Sequence, residues 1–248
     1  MVKRIFAGPS LHGALTGRGA GIRFDPPAIC GDITRAVLEG VRVIGLVDGY
    51  FENTRAVWHK EIVFALHRGV RVFGGASIGA LRAAECAVFG MVGVGVIFEK
   101  YHNGVYTEDS DVALLHGPAE LDYLPVSEAV VDIDHILGHT VQNRLLSSAA
   151  AADLLDATRA VYYKDRTRDH MLALFKDALP GATYGAITDF WEQAPSRKRL
   201  DAEAVIVAVQ AAPETPVDRA HRPDFIETSN WRRHIAHFAR PKGRRRPV

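Results

Sequence analysis

Val70-Arg71-Val72-Phe73-Gly74-Gly75-Ala76-Ser77-Ile78-Gly79-Ala80-Leu81-Arg82 is the stretch on which the fold turns. Its first four residues, Val70 to Phe73, read as a buried strand rich in β-branched and aromatic side chains. Gly74-Gly75-Ala76-Ser77 breaks it, and Ile78 to Val88 continues as a helix of small residues and leucine. Working backwards, Thr54 to Arg68 sets Val57, Trp58, Ile62 and Leu66 at helical spacing and stops at Gly69. Before it, Val41 to Val47 is a β-branched run closing on Asp48-Gly49. Gly31 to Glu39 predicts a short helix with Asp32 as its cap. Val2 to Ala7 predicts a first strand ending in Gly8-Pro9-Ser10. The chain from there to about Arg23 is Gly-rich and weakly patterned, and Asp25-Pro26-Pro27 marks a turn.

Strand and helix in alternation, with short connections, predict an α/β fold. Parallel strands with helices on both faces would form a three-layer core in the N-terminal half. Such open sheets bind ligands beyond the carboxyl ends of their strands. The loops Gly8-Pro9-Ser10, Asp48-Gly49-Tyr50 and Gly75-Ala76-Ser77 are therefore expected side by side. Working forwards, Gly90 to Gly95 is an apolar packing or hinge segment, and Val112 to His116 is a candidate last strand. Ser127 to Ala212 is Ala/Leu-rich and helical, with breaks near Gly138, Pro180-Gly181 and Pro195. The expected organisation is an α/β core over 1–126, a helical region over 127–212 and a Pro/Arg-rich arm over 213–248. The isolated Phe225, Trp231 and Phe238 suit that arm to docking on a partner.

The 248 residues are 48% hydrophobic and 24% charged, which excludes a mainly disordered or collagen-like chain. Two cysteines, Cys30 and Cys86, make neither a disulfide framework nor a Cys-rich zinc site, and point to a reducing cytoplasm. No apolar run reaches the roughly 20 residues of a membrane helix. The N-terminus reads as a strand rather than a secretion signal. A net charge of +1 hides an asymmetry. The last ten residues carry five bases and no acid, leaving 25 bases against 29 acids in the rest. That extended basic tail, with Arg244, Arg245 and Arg246, is either a solvated terminus or an electrostatic contact.

Gly75-Ala76-Ser77-Ile78-Gly79 is a G-x-S-x-G between a strand and a helix. Its small residues permit a tight turn that pushes the Ser77 hydroxyl into the cleft, and the helix N-terminus behind it favours an anion or oxyanion. The alternatives are an anion-binding turn without a nucleophile, or a packing turn. A nucleophilic serine needs a base. His59 and Lys60 are candidates, and His12 is a third. Ser10 is a second candidate nucleophile or substrate ligand, and its backbone a candidate oxyanion donor. Asp48 would orient a base or bind substrate, unless it forms an Asx-turn. Arg82 and Glu85, three apart, pair with each other or reach the cleft. His135 and His139 lack the Glu of an H-E-x-x-H pattern, so no metal is assigned. No cofactor is assigned either, since neither a Walker A nor a G-x-G-x-x-G fingerprint follows a strand.

Taken as an ordered set, several motifs resemble the TfuA-like family. They are Phe6-Ala7-Gly8-Pro9-Ser10-Leu11, Asp25-Pro26-Pro27-Ala28, Val47-Asp48-Gly49-Tyr50-Phe51, Val57-Trp58-His59-Lys60-Glu61-Ile62, Gly75 to Glu85, and Phe89-Gly90-Met91-Val92-Gly93. The resemblance covers the first half of the chain, through His116. It implies a role in peptide backbone thioamidation beside a YcaO-type ATP-dependent cyclodehydratase or thioamide synthetase, as in natural-product (RiPP) biosynthesis. It also implies hydrolysis of a thiocarboxylated, ThiS-type sulfur carrier, releasing hydrosulfide for that partner. On this reading Ser77, Lys60, His59 and Ser10 are the catalytic candidates. Gly8, Asp48, Gly75, Ala76, Arg82 and Glu85 are the substrate-binding candidates. The precursor peptide is a further candidate partner, and neither membrane nor nucleic acid is expected. The competing functions are a non-catalytic adaptor that activates YcaO, and a generic serine hydrolase.

Overall fold

The computed structural model describes residues 2–14, 21–50, 52 and 54–238, so the basic tail beyond 238 and Phe51 lie outside the described residues. Five parallel strands form one sheet: β1 (Lys3–Phe6), β2 (Ile22–Asp25), β3 (Val43–Leu46), β4 (Arg71–Gly75) and β5 (Val92–Val94). Their spatial order is β2-β1-β3-β4-β5. Lys3 lies opposite Ile22 on one side and Val43 on the other, and Val43 lies opposite Arg71. The order reverses between β1 and β3, which in open parallel sheets is where a crevice opens. As expected from the sequence, the three Gly-containing loops leave neighbouring strands.

Alternation along the strands makes two apolar faces. Phe6, Ile44, Leu46 and Val72 face one way, under α1 (Asp32–Leu38), α2 (His59–His67) and α3 (Ile78–Cys86). Ile5, Val43 and Val47 face the other way. Among the described residues one helix, α9 (Arg197–Ala211), covers them with Ala202, Val205, Ile206 and Val209. It approaches so closely that a Cβ on Gly45 would lie 2.9 Å from Val209 Cγ2 and 3.1 Å from Val205 Cγ1. The second face is thus closed by residues from the far end of the helical half.

Helix α4 (Val96–His102) follows β5. Then α5 (Val130–Gln142), α6 (Ser148–Ala160), α7 (Arg168–Ala178) and α8 (Gly181–Gln193) build a lobe around Ile133, Leu137, Met171, Phe175 and Trp191. Among the described residues, no helix is long and apolar enough to cross a membrane.

Three expectations are corrected. Val112 to His116 is not a strand: it holds only an isolated bridge between His116 and Pro125, and β2 and β5 supply the sheet edges. Helix α2 begins at His59 rather than Thr54. The chain is extended at Trp58, whose N–H donates to Glu61 across the first turn, 3.3 Å away. Residues 213–238 are not an arm held free for a partner. Val217 N–H donates to the Gly69 carbonyl, and Arg71 donates to that of Pro213. Helix α10 (Ser229–Phe238) buries Trp231 completely against Phe64 and Phe225.

Candidate functional site

The site starts from a carboxylate at the end of β3. Asp48 is 2% exposed and accepts three hydrogen bonds from the loop after β1. Gly8 N–H reaches Oδ2 at 2.8 Å, Ser10 N–H reaches Oδ2 at 3.1 Å, and the Ser10 hydroxyl donates to Oδ1 at 2.7 Å. Asp48 therefore locks the first two loops together at the reversal of strand order. Gly8 has no room for a side chain, since a Cβ would lie 2.5 Å from Pro27 Cγ. The Ser10 N–H and hydroxyl are both committed to Asp48, so they are turn-forming groups here rather than free donors.

The third loop leaves β4. Ala76 has φ +68°, a left-handed conformation that costs a non-glycine residue on the order of 1 kcal/mol. This sharp bend puts Ser77 at the head of α3. Gly75 lets the bend pass the edge strand, since a Cβ there would lie 2.5 Å from the Val94 carbonyl oxygen. Ser77 is 8% exposed, and its side chain makes no capping bond to the helix. Among the described residues the Ser77 hydroxyl has no hydrogen-bond partner, and neither does the N–H of Ile78, the first of α3. A hydroxyl beside a free helix-terminal N–H is a pairing suited to acyl chemistry.

Ser77 lines two adjoining cavities. One, of about 260 Å³, also contains Asp48, Tyr50, His116 and Lys198. The other, of about 350 Å³, contains Arg82 and Glu85. Lys198 is the residue that sequence reasoning missed. It sits on the first turn of α9, is 2% exposed, and donates from Nζ to the Val112 carbonyl at 2.9 Å. Burial pushes its pKa down, opposed by the charges of Asp48, Asp132 and Glu128. Asp132 in turn accepts the Lys198 backbone N–H at 2.9 Å. The one sequence signal available was a lysine on the apolar stripe Ala202, Val205, Ile206, Val209, one turn before it begins.

Glu128 belongs to this buried charge group. Burial, reinforced by Asp132, raises its pKa from 4.5 to about 7 against the pull of Arg168 and Lys198. An acid raised in the folded state removes stability as pH climbs from the unfolded pKa to the folded one. Glu128→Gln is therefore expected to leave stability unchanged near pH 4.5 and raise it above about pH 7. The gain should be roughly 2 kcal/mol, allowing for partial exposure. Urea midpoints across that pH range measure it, and a gain already complete at the acid end would contradict it.

Of the remaining sequence candidates, Arg82 and Glu85 line the second cavity, and His59, Lys60, His12, His135 and His139 line neither. His59 hydrogen-bonds through Nε2 to Glu85 at 2.8 Å, and Arg82 donates to the same Glu85 oxygen at 2.6 Å. Burial alone would raise the Glu85 pKa, but His59 and Arg82 outweigh it and hold the carboxyl below its ordinary value. Lys60 lies 5.1 Å above the Phe225 ring and lines neither cavity that contains Ser77. His12 reaches the Asp122 carbonyl at 2.8 Å. His139 stacks on Phe190 at 3.7 Å, with His135 edge-on to the same ring. No group of three or more His, Cys, Asp or Glu positioned for a metal occurs among the described residues.

Sheet order and cleft define an open parallel α/β protein with a serine-bearing strand–helix turn beside its switch point. Within that class, the family model for TfuA-like protein matches residues 48–167, from Asp48 through the Ser77 turn to Thr167, and over this region the chain is similar to that family. The family accompanies YcaO proteins, which supports involvement in a YcaO thioamidation system and a YcaO-type partner. A search of curated proteins finds no match.

Proposed function

We propose that this protein is a hydrolase that releases hydrosulfide from the thiocarboxylated C-terminus of a ThiS-type carrier, for use by a YcaO partner. The observation that carries the reading is the Ser77 hydroxyl, unpartnered among the described residues at a strained turn, in a cleft shared with a buried lysine. Neutral Lys198 takes the Ser77 proton as Oγ attacks the acyl carbon. The oxyanion gathers at the Ile78 N–H. Collapse breaks the carbon–sulfur bond, and the proton on Lys198 follows the departing sulfur. Water, deprotonated by Lys198, then attacks the acyl-serine; the carbon–Oγ bond breaks, Lys198 returns the proton to Ser77 Oγ, and the carrier's carboxylic acid leaves as the carboxylate, releasing its proton to solvent. In this scheme Asp48 balances the lysine's charge whenever it carries the proton. A cytoplasmic setting with the precursor peptide nearby fits this role.

The test is incubation with a thiocarboxylated carrier while sulfide is measured directly. Wild type should release it, and a wild type that releases none, yet stimulates YcaO, would make the protein an adaptor. Lys198→Arg keeps a cation near Asp48 but has no accessible neutral form. It should lower the rate by about 100-fold or more. In wild type the rate should rise with pH through the lysine's depressed pKa, with Asp48, Asp132 and Glu128 as the facing carboxylates. Lys198→Arg should lose that limb. Lys198→Met, similar in volume, checks that the effect is chemical rather than structural.

A further inference from the structure

A second candidate region, a cavity of about 1040 Å³, does not contain Ser77. It is a groove between the 54–59 segment, Arg82 and α10. Its lining carries Arg55, Arg82 and Arg233, together with His59 and His237, and among the described residues no Asp or Glu. Arg82 is already neutralised by Glu85. Arg55 and Arg233 form no ion pair with a carboxylate among the described residues. Ala56 and Arg82 line both this groove and the Ser77 cleft, which sets the two side by side. At the upper end of the size range of small-molecule pockets, this trough suits an extended chain.

The geometry points to this groove as the docking track for an acidic peptide segment that leads a C-terminal tail towards Ser77. The inference rests on the proposed carrier hydrolysis for what happens at the end of the track, but the charge recognition stands separately. Two guanidiniums at the rim, neither held by a carboxylate among the described residues, attract acidic side chains and fix the tail's direction. The acidic segment lies along α10 and the reactive terminus at the head of α3. Such rim charges act on association more than on chemistry.

The test uses two labelled peptides ending in Gly-Gly, one preceded by Asp and Glu residues and the other by lysines. Their affinities are measured by fluorescence anisotropy against the full chain. The acidic peptide should bind about tenfold more tightly or better, and the difference should shrink at high salt. The double variant Arg55→Glu/Arg233→Glu, changed only at the groove rim, should remove the preference. With thiocarboxylated carrier it should raise KM about tenfold and leave kcat unchanged. Equal binding of the two peptides, an unaffected double variant, or a fall in kcat at constant KM would each overturn the inference. If charge preference persists but wild type releases no sulfide, the hydrolase reading fails and the docking track stands.

Discussion

Ser77→Ala should abolish sulfide release while leaving the fold intact. The Ser77 hydroxyl bonds to nothing within α3, so its removal strips no cap from the helix, and stability should change by less than about 1 kcal/mol. Activity should fall by at least about 10³-fold in kcat/KM, about 4 kcal/mol of transition-state stabilisation, as when a covalent nucleophile is removed. Single-turnover sulfide measurement with thiocarboxylated carrier, beside a thermal melt, reads both halves. Release within a few-fold of wild type would eliminate the acyl-serine and leave a water attack in its place. The variant thus separates the two chemical routes that the cleft permits.

The second large effect is on folding. Gly79→Ala puts a methyl group where the backbone of β3 already lies: a Cβ there would be 1.9 Å from the Leu46 carbonyl oxygen and 2.6 Å from its carbon. The Gly79 N–H also donates to the Val47 carbonyl at 3.1 Å, so α3 cannot back away without losing that bond. The expected cost is about 3 kcal/mol or more, at the severe end for a single substitution. The urea midpoint measures it. Gly90→Ala is the control: Gly90 has φ +97° but nothing within 4 Å of an added methyl group, so only backbone strain, about 1 kcal/mol, is at stake. Equal costs at the two positions would mean that helix and strand do not touch there. The last glycine of G-x-S-x-G is thus explained by packing, whatever Ser77 does.

What could be seen in advance follows from the physics of each segment. Strands β1, β3 and β4 announce themselves because Ile5, Ile44 and Val72 lie in β-branched runs ended by Gly or Asp. β2 is as short as β1 and β3, but its Ile22-Arg23-Phe24-Asp25 holds a single β-branched residue, and β5 has only three residues with Gly93 in the middle. The cover over the second face stayed hidden because α9 places Lys198 and Asp201 among its buried positions, breaking the apolar stripe that marks an amphipathic helix. Asp201 accepts the Ile97 N–H at the start of α4, at 2.8 Å, a long-range contact no local pattern reveals. Ser77, Ser10 and Asp48 were legible from their loops. Lys198 was not, being some 120 positions from Ser77 in a segment without a motif. Lys60, beside His59 in sequence, points along another side of α2 to an aromatic ring.

The dependence of the sheet on α9 sets the timing of biosynthesis. While the ribosome is still adding residue 200, Ile5, Val43 and Val47 have been translated for most of the chain's length and remain bare on one side. Until Val205 and Val209 emerge from the exit tunnel, the nascent protein presents a sticky parallel sheet and an unfinished cleft, the kind of species that recruits chaperones. The proposed cleft would thus stay unfinished until α9 has emerged, and a product terminated before that helix would be an aggregation hazard rather than a partly folded copy.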